Sequence, residues 1–177
     1  MTTLLMLPPQ TPTTRGWAAR LASTLPQLSV VVAETEADAR RVVGDAEAAF
    51  GTMPDALLRD AKRLRWLQAP QAAPPAGYYS PALIEHTATV TNFREIYNDH
   101  IGAHIMAFVL AFARGFQHYL PRQVRREWRR EPMDGGVIHL PDATALIVGV
   151  GGIGSEAARI CAAFGMHVMG VDARRRP

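Results

Sequence analysis

The residues whose spacing carries the most chemistry are three glycines, Gly149, Gly151 and Gly154, and an acid, Asp172. The stretch reads Ala145-Leu-Ile-Val-Gly-Val-Gly-Gly-Ile-Gly-Ser155, so the glycines follow an apolar run. They open a segment in which Ile153, Ala157, Ile160, Cys161 and Phe164 recur at helical spacing. A second apolar run, His167–Val171, leads into Asp172. A strand, a bare turn, a helix and a second strand closed by an acid is the arrangement that seats the pyrophosphate of a dinucleotide. Gly149 permits the tight turn, Gly151 lets the backbone approach the phosphates, and Gly154 brings helix and strand close. The N–H groups around Gly152 to Ser155, those of Ile153 and Gly154 among them, sit at the positive end of the helix dipole and attract phosphate charge. Asp172 accepts from the adenosine ribose hydroxyls, which favours NAD, because a 2′-phosphate beside a carboxylate is repelled. Arg174 softens that preference, so NADP stays open.

The elements that must position this turn are legible in outline. The first half alternates β-branched or apolar runs with amphipathic segments, which implies βαβ units on a parallel sheet. Strands are predicted over Thr3–Leu7, Leu28–Val32, Ala48–Phe50, Arg65–Gln68 and Thr89–Thr91. Helices are predicted over Gly16–Leu25, Thr35–Val43 and Pro54–Ala61, the second opened by Thr35 and Asp38 at capping-box spacing. From Ala69 to Pro81 repeated prolines forbid helix and withhold ladder donors, so the segment reads as a stiff loop at the carboxyl end of a strand, a candidate substrate wall. Asn98 or Asp99 caps a long helix with Ile101, Ile105, Phe108, Phe112 and Phe116 on one face, apolar enough to be expected buried between two domains. That helix is expected to end over Gly115 to Pro121, followed by a charged segment to Glu131.

Composition narrows the class. The 177 residues are 48% hydrophobic and 20% charged, the balance of a globular protein, with a net charge of +3. The arginines of Arg122 to Arg130 interleave with Glu127 and lack a stacking platform, so they read as a solvated face and not a nucleic-acid surface. The one cysteine, Cys161, cannot form an internal disulfide, and the longest apolar stretch falls short of the roughly 20 residues a membrane span needs. A cytoplasmic protein with neither membrane nor nucleic-acid partner is expected, and no metal site.

With this motif preceded by a long apolar helix and a flavodoxin-like first half, the chain resembles the D-isomer-specific 2-hydroxyacid dehydrogenases. Leu64-Arg65-Trp66-Leu67-Gln68 is similar to the family's strand before its substrate loop, Val90-Thr91-Asn92 to its return strand, and Gly102-Ala103-His104 with the run to Arg114 to its interdomain helix. The resemblance implies a flavodoxin-like, doubly wound substrate domain over 1–97, an interdomain helix and linker over 98–131, and the first β-α-β unit of a Rossmann domain over 132–177. It implies an NAD(P)-dependent oxidoreductase passing a hydride between the nicotinamide and a small 2-hydroxy or 2-keto acid, and a homodimer. The substrate carboxylate would be held partly by the backbone amides of Ala72 and Ala73.

The chain departs from the family pattern at Pro74 and Pro75, where a residue able to donate and an acid are usual, at Glu95, where glycine is frequent, and at Ala103, where an acid usually precedes the histidine. The family's catalytic arginine, glutamate and histidine match no residue here, so the sequence reads as a C-terminally truncated fragment, inactive in hydride transfer by itself. The histidines His86, His100, His104, His118, His139 and His167 read as solvated or packed. An NAD-sensing, corepressor-like binding protein is the alternative function. A methyltransferase, which also uses a glycine loop and an acid after the second strand, is a third reading.

Overall fold

The computed structural model describes residues 2–129 and 136–173 and divides into two compact units, Met1–Arg94 and Glu95–Pro177. In the first unit, β1 (Thr2–Met6), β2 (Leu28–Val32), β3 (Ala48–Phe50), β4 (Trp66–Gln68) and β5 (Thr89–Thr91) form one parallel sheet in the order β2-β1-β3-β4-β5. Leu5 pairs with Val31 on one side and Ala49 on the other, and Leu67 lies between Ala49 and Val90. This is the flavodoxin-like, doubly wound order that the alternating sequence implied.

Successive side chains of a strand point to opposite faces, and β1 shows how both faces are filled. Leu5 joins one core with Ala39, Val43, Ala49, Leu57, Leu67 and Leu83. Its neighbours Leu4 and Met6 join the other with Ala18 and Ala48. The helices α1 (Pro12–Thr24), α2 (Glu36–Val42), α3 (Asp55–Leu58) and α4 (Pro81–Glu85) connect the strands. Ala18 of α1 contributes to the second core, while Ala39 of α2, Leu57 of α3 and Leu83 of α4 contribute to the first. Strands covered on both faces need continuous apolar runs, which is how β1 and β2 read.

Local signals set the helix ends. The predicted Thr35/Asp38 box is formed: Asp38 N–H donates to Thr35 Oγ1, and Thr35 N–H donates to Asp38 Oδ2. α1 starts before the expected Gly16, because Thr11 caps it through Thr14 and Pro12 takes the first turn, where its missing N–H costs nothing. α4 was hidden by its prolines; Ser80 accepts from Leu83 N–H and Pro81 occupies the first turn.

The second unit contains α5 (Asn98–Ala113), α6 (Phe116–Val124), β6 (Thr144–Val148), α7 (Gly152–Ala163) and β7 (His167–Val171). β6 and β7 pair in parallel, from Thr144 with His167 to Val148 with Val171. α5 and α7 lie together: a Cβ on Gly102 would meet Glu156 Cγ at 2.9 Å and Ile160 Cδ1 at 3.1 Å. The expectation of a helix buried all round is not met by α5, since Phe108 and Phe112 are 55% and 59% exposed while Gly102 and Met106 are buried. The chain also stays helical through Pro121, beginning from Gly115 in a left-handed conformation (φ 71°), where a break was expected. Proline there removes a single N–H donor, and the helix closes its last turn with Arg125 N–H on the Pro121 carbonyl. Leu146, Val148, Met169 and Val171 leave an exposed apolar surface on β6 and β7.

Candidate functional site

The glycine-rich turn is built from the end of β6 upward. After Val148 the chain reverses at Gly149 (φ 92°), a left-handed conformation that glycine adopts without a Cβ penalty. Gly149 N–H donates to the Val171 carbonyl at 2.7 Å, which extends the β6/β7 ladder by one bond. Gly151 (φ −78°, ψ −160°) is the N-cap of α7, and no side chain caps the helix. The first intrahelical bond runs from Ser155 N–H to the Gly151 carbonyl at 2.8 Å, so the N–H groups of Gly152, Ile153 and Gly154 have no partner within their own helix. The first turn of α7 carries no acidic side chain to offset its positive end.

The three glycines play three different parts. A Cβ on Gly154 would fall onto the Gly149 carbonyl oxygen and lie 3.2 Å from Ile147 Cγ2, so only glycine allows α7 to approach β6 this closely. A Cβ on Gly149 or Gly151 meets nothing within 4 Å, so the turn's outer side is open to a ligand that needs close backbone approach. Gly152 is different: its Cβ would meet the Asn98 side chain.

Asp172 follows β7 and is exposed, and its Oδ2 accepts from Val150 N–H at 2.7 Å. The acid at the end of the second strand therefore ties down the glycine turn as well as standing beside it. One turn into α7, Glu156 pairs with Arg159 at 2.5 Å, and that hydrogen bond holds its carboxyl below the usual carboxylate range. Gly149, Gly151, Gly152, Ile153, Gly154 and Asp172 are thus gathered at one end of the β6-α7-β7 unit. Arg174 lies outside the described residues.

Ala72 and Ala73 lie in the first unit, on the loop after β4. The loop is fixed at its far end by buried Tyr78, whose hydroxyl donates to the Gly51 carbonyl at 2.9 Å, and by Ser80, whose hydroxyl donates to Asp55 Oδ1 at 2.6 Å. Burial pushes the Tyr78 phenol up to about 12. Among the histidines, His86 Nδ1 accepts from Ala88 N–H, His104 packs edge-on against Phe108, and His139 Nδ1 lies 3.2 Å from Asp142 Oδ2. Among the described residues no group of three or more His, Cys, Asp or Glu side chains is placed to hold a metal ion.

Sequence reasoning missed two contributors to the turn. Asn98 read, with Asp99, as a helix cap, and Val150 was assigned no role. The one signal for Asn98 was a glycine at position 152, which the motif does not require.

Residues 106–177 match the family described as D-isomer specific 2-hydroxyacid dehydrogenase, NAD binding domain. The whole chain is also similar to solved dehydrogenase structures. One is a D-isomer specific 2-hydroxyacid dehydrogenase family protein from Aeromonas salmonicida subsp. salmonicida, 28% identical with a TM-score of 0.74, covering 99% of this chain and 55% of that one. Another is a D-lactate dehydrogenase from Treponema pallidum, 20% identical with a TM-score of 0.77, covering 100% and 55%. A third is a D-lactate dehydrogenase from Aquifex aeolicus complexed with NAD and lactic acid, 19% identical with a TM-score of 0.72, covering 99% and 52%. The chain therefore spans little more than half the length of the dehydrogenases it matches. No curated protein sequence matches it.

Proposed function

We propose that this chain supplies the phosphate-binding turn and the substrate wall of an NAD-dependent D-2-hydroxyacid dehydrogenase, an oxidoreductase acting on a CH–OH donor. The observation that carries the reading is the contact between Gly154 and the Gly149 carbonyl, which places three N–H groups of α7 beside an open turn in a segment of NAD-binding-domain type. Gly149, Gly151, Gly152, Ile153 and Gly154 would hold the pyrophosphate through backbone N–H groups, and Asp172 would accept from the adenosine ribose. When bound, the nicotinamide supplies or accepts the hydride exchanged with a 2-keto or 2-hydroxy acid.

The chain's own residues bind and orient. Alignment of donor and acceptor contributes much of such a rate, since a well-held pair gains up to about 7–11 kcal/mol from proximity and orientation. Backbone amides at Ala72 and Ala73 would receive the substrate carboxylate. Pro74 offers no N–H, so this wall has fewer donors than the family pattern. No catalytic residue is assigned within 1–177. The substrate domain at 1–97, the connecting helix and linker at 98–131, the Rossmann unit from 132, assembly as a homodimer and a cytoplasmic location belong to the same proposal. So does a role for Arg174 in admitting NADP. Among the described residues no helix is long and apolar enough to cross a membrane.

Titration of the purified chain with NADH, NADPH and S-adenosylmethionine tests the reading. NADH is expected to bind most tightly. Preference for S-adenosylmethionine, or no heat from either nicotinamide nucleotide, would remove it.

A further inference from the structure

The turn carries one more glycine than its task demands. The fingerprint fixes glycine at 149, 151 and 154, whereas position 152 accepts any residue. Here it is Gly152, and the space its side chain would fill is taken. A Cβ at Gly152 would lie 2.5 Å from Asn98 Nδ2, 2.9 Å from Oδ1 and 3.0 Å from Cγ. The Asn98 amide thus sits at the first residue of α7, delivered from α5.

Helix packing holds it there. α5 and α7 run alongside each other in the same direction, with Asn98 against Gly152 and, one turn on, Gly102 against Glu156 and Ile160. Gly102 has no room for a side chain at that contact, so the two helix starts stay close together. Asn98 does not serve its own helix as a cap. The N-cap is Tyr97, which makes no side-chain capping bond, and Asp99 accepts the His100 N–H. Asn98 is half-buried, and a Cβ at the neighbouring Gly151 would meet nothing within 4 Å beyond its own chain neighbours. The amide therefore lies one residue along the chain from the open position of the turn, which the dinucleotide reading gives to the phosphates.

We infer that Asn98 is a further cofactor-binding residue: its Nδ2 donates to the diphosphate at the start of α7, supplying from α5 the polar side chain that Gly152 lacks. The assignment rests on the dinucleotide reading above and adds to it a residue outside the glycine motif.

Titration of the full chain with NADH, ADP and adenosine tests it, using wild type, Asn98→Ala and Asn98→Asp. Loss of one hydrogen bond to a charged group corresponds to a weakening of about tenfold or more. Asn98→Ala is expected to weaken NADH and ADP by that factor and leave adenosine unchanged. Asn98→Asp keeps the size of the side chain and places a carboxylate against the diphosphate, so it is expected to weaken both phosphorylated ligands more than alanine does. Variants that bind ADP as wild type does, or that lose ADP and adenosine alike, would overturn the assignment and leave Asn98 a packing residue. A wild-type chain that binds neither NADH nor ADP would instead remove the dinucleotide reading, and Asn98's role with it.

Discussion

Substitution of Gly154 by alanine tests the geometry on which the site depends. The added methyl falls onto the Gly149 carbonyl oxygen and close to Ile147. The oxygen is backbone at a tight reversal, with no flexible side chain to swing aside, so α7 and the turn must separate. Overpacking of this kind costs about 1–3 kcal/mol, which lowers the denaturation midpoint of the second unit. Separation also moves the N–H groups of Gly152, Ile153 and Gly154 away from the position that suits phosphate. A hydrogen bond to a charged group contributes about 1.5–3 kcal/mol, so the loss of one weakens NADH binding by about ten- to a hundredfold. Gly151→Ala is the matched control, because Gly151 has φ −78° and ψ −160°, which alanine tolerates, and its Cβ meets no protein atom within 4 Å. Urea denaturation and NADH titration of both variants should therefore separate: Gly154→Ala loses stability and affinity, and Gly151→Ala loses affinity alone. An unchanged midpoint for Gly154→Ala, with NADH bound within a factor of two of wild type, would refute the reasoning.

Removing the carboxylate in Asp172→Ala leaves the Val150 N–H without its 2.7 Å acceptor; we expect faster amide exchange at Val150 and about tenfold weaker NADH binding, on the scale of one charge-assisted bond. Unchanged exchange at Val150 would show that the acid does not hold the turn. In the first unit, Tyr78→Phe removes the hydroxyl that satisfies the Gly51 carbonyl and should cost about 1–3 kcal/mol in urea denaturation. The Tyr78 phenol titrates at about 12 in the folded chain against 10.0 ordinarily. Its contribution is therefore fully present below pH 10 and is lost as the pH rises from 10 towards 12. Wild type should lose stability across that window faster than Tyr78→Phe; parallel profiles would contradict the buried phenol.

The strands were legible because most are short apolar or β-branched runs between turn residues, and a sheet covered on both faces has use for such runs. The parallel order followed from the helices between them. What failed to show in the sequence has one physical origin. Proline marks a helix start as readily as a loop, and the sequence alone does not say which when the cap is a single Ser80 or Thr11. Likewise Pro121 reads as a stop, yet it forfeits one donor in a helix that still closes its last turn with Arg125 N–H on the Pro121 carbonyl. Glu95 stands where the resembling family frequently has glycine, and the structure gives it φ 71°, so the glycine preference at that point is a backbone requirement that this chain meets with a larger residue.

The site divides along the same line. Glycines are informative in sequence because their function is an absence, and an absence at a fixed spacing needs no knowledge of the rest of the chain. Gly149, Gly151 and Gly154 could therefore be assigned their tasks from spacing alone, and the positive φ of the first and the close contact of the third agree with those tasks. Asn98 and Val150 act through what they touch, and those contacts depend on α5 lying along α7 and on β7 ending level with the turn. Neither condition is written at positions 98 or 150. Gly152 was the trace left in sequence, a missing side chain that the motif does not explain, and its cause lies far back along the chain at Asn98, in another helix. A surplus glycine in such a motif is thus a reason to look for the residue that has taken its place.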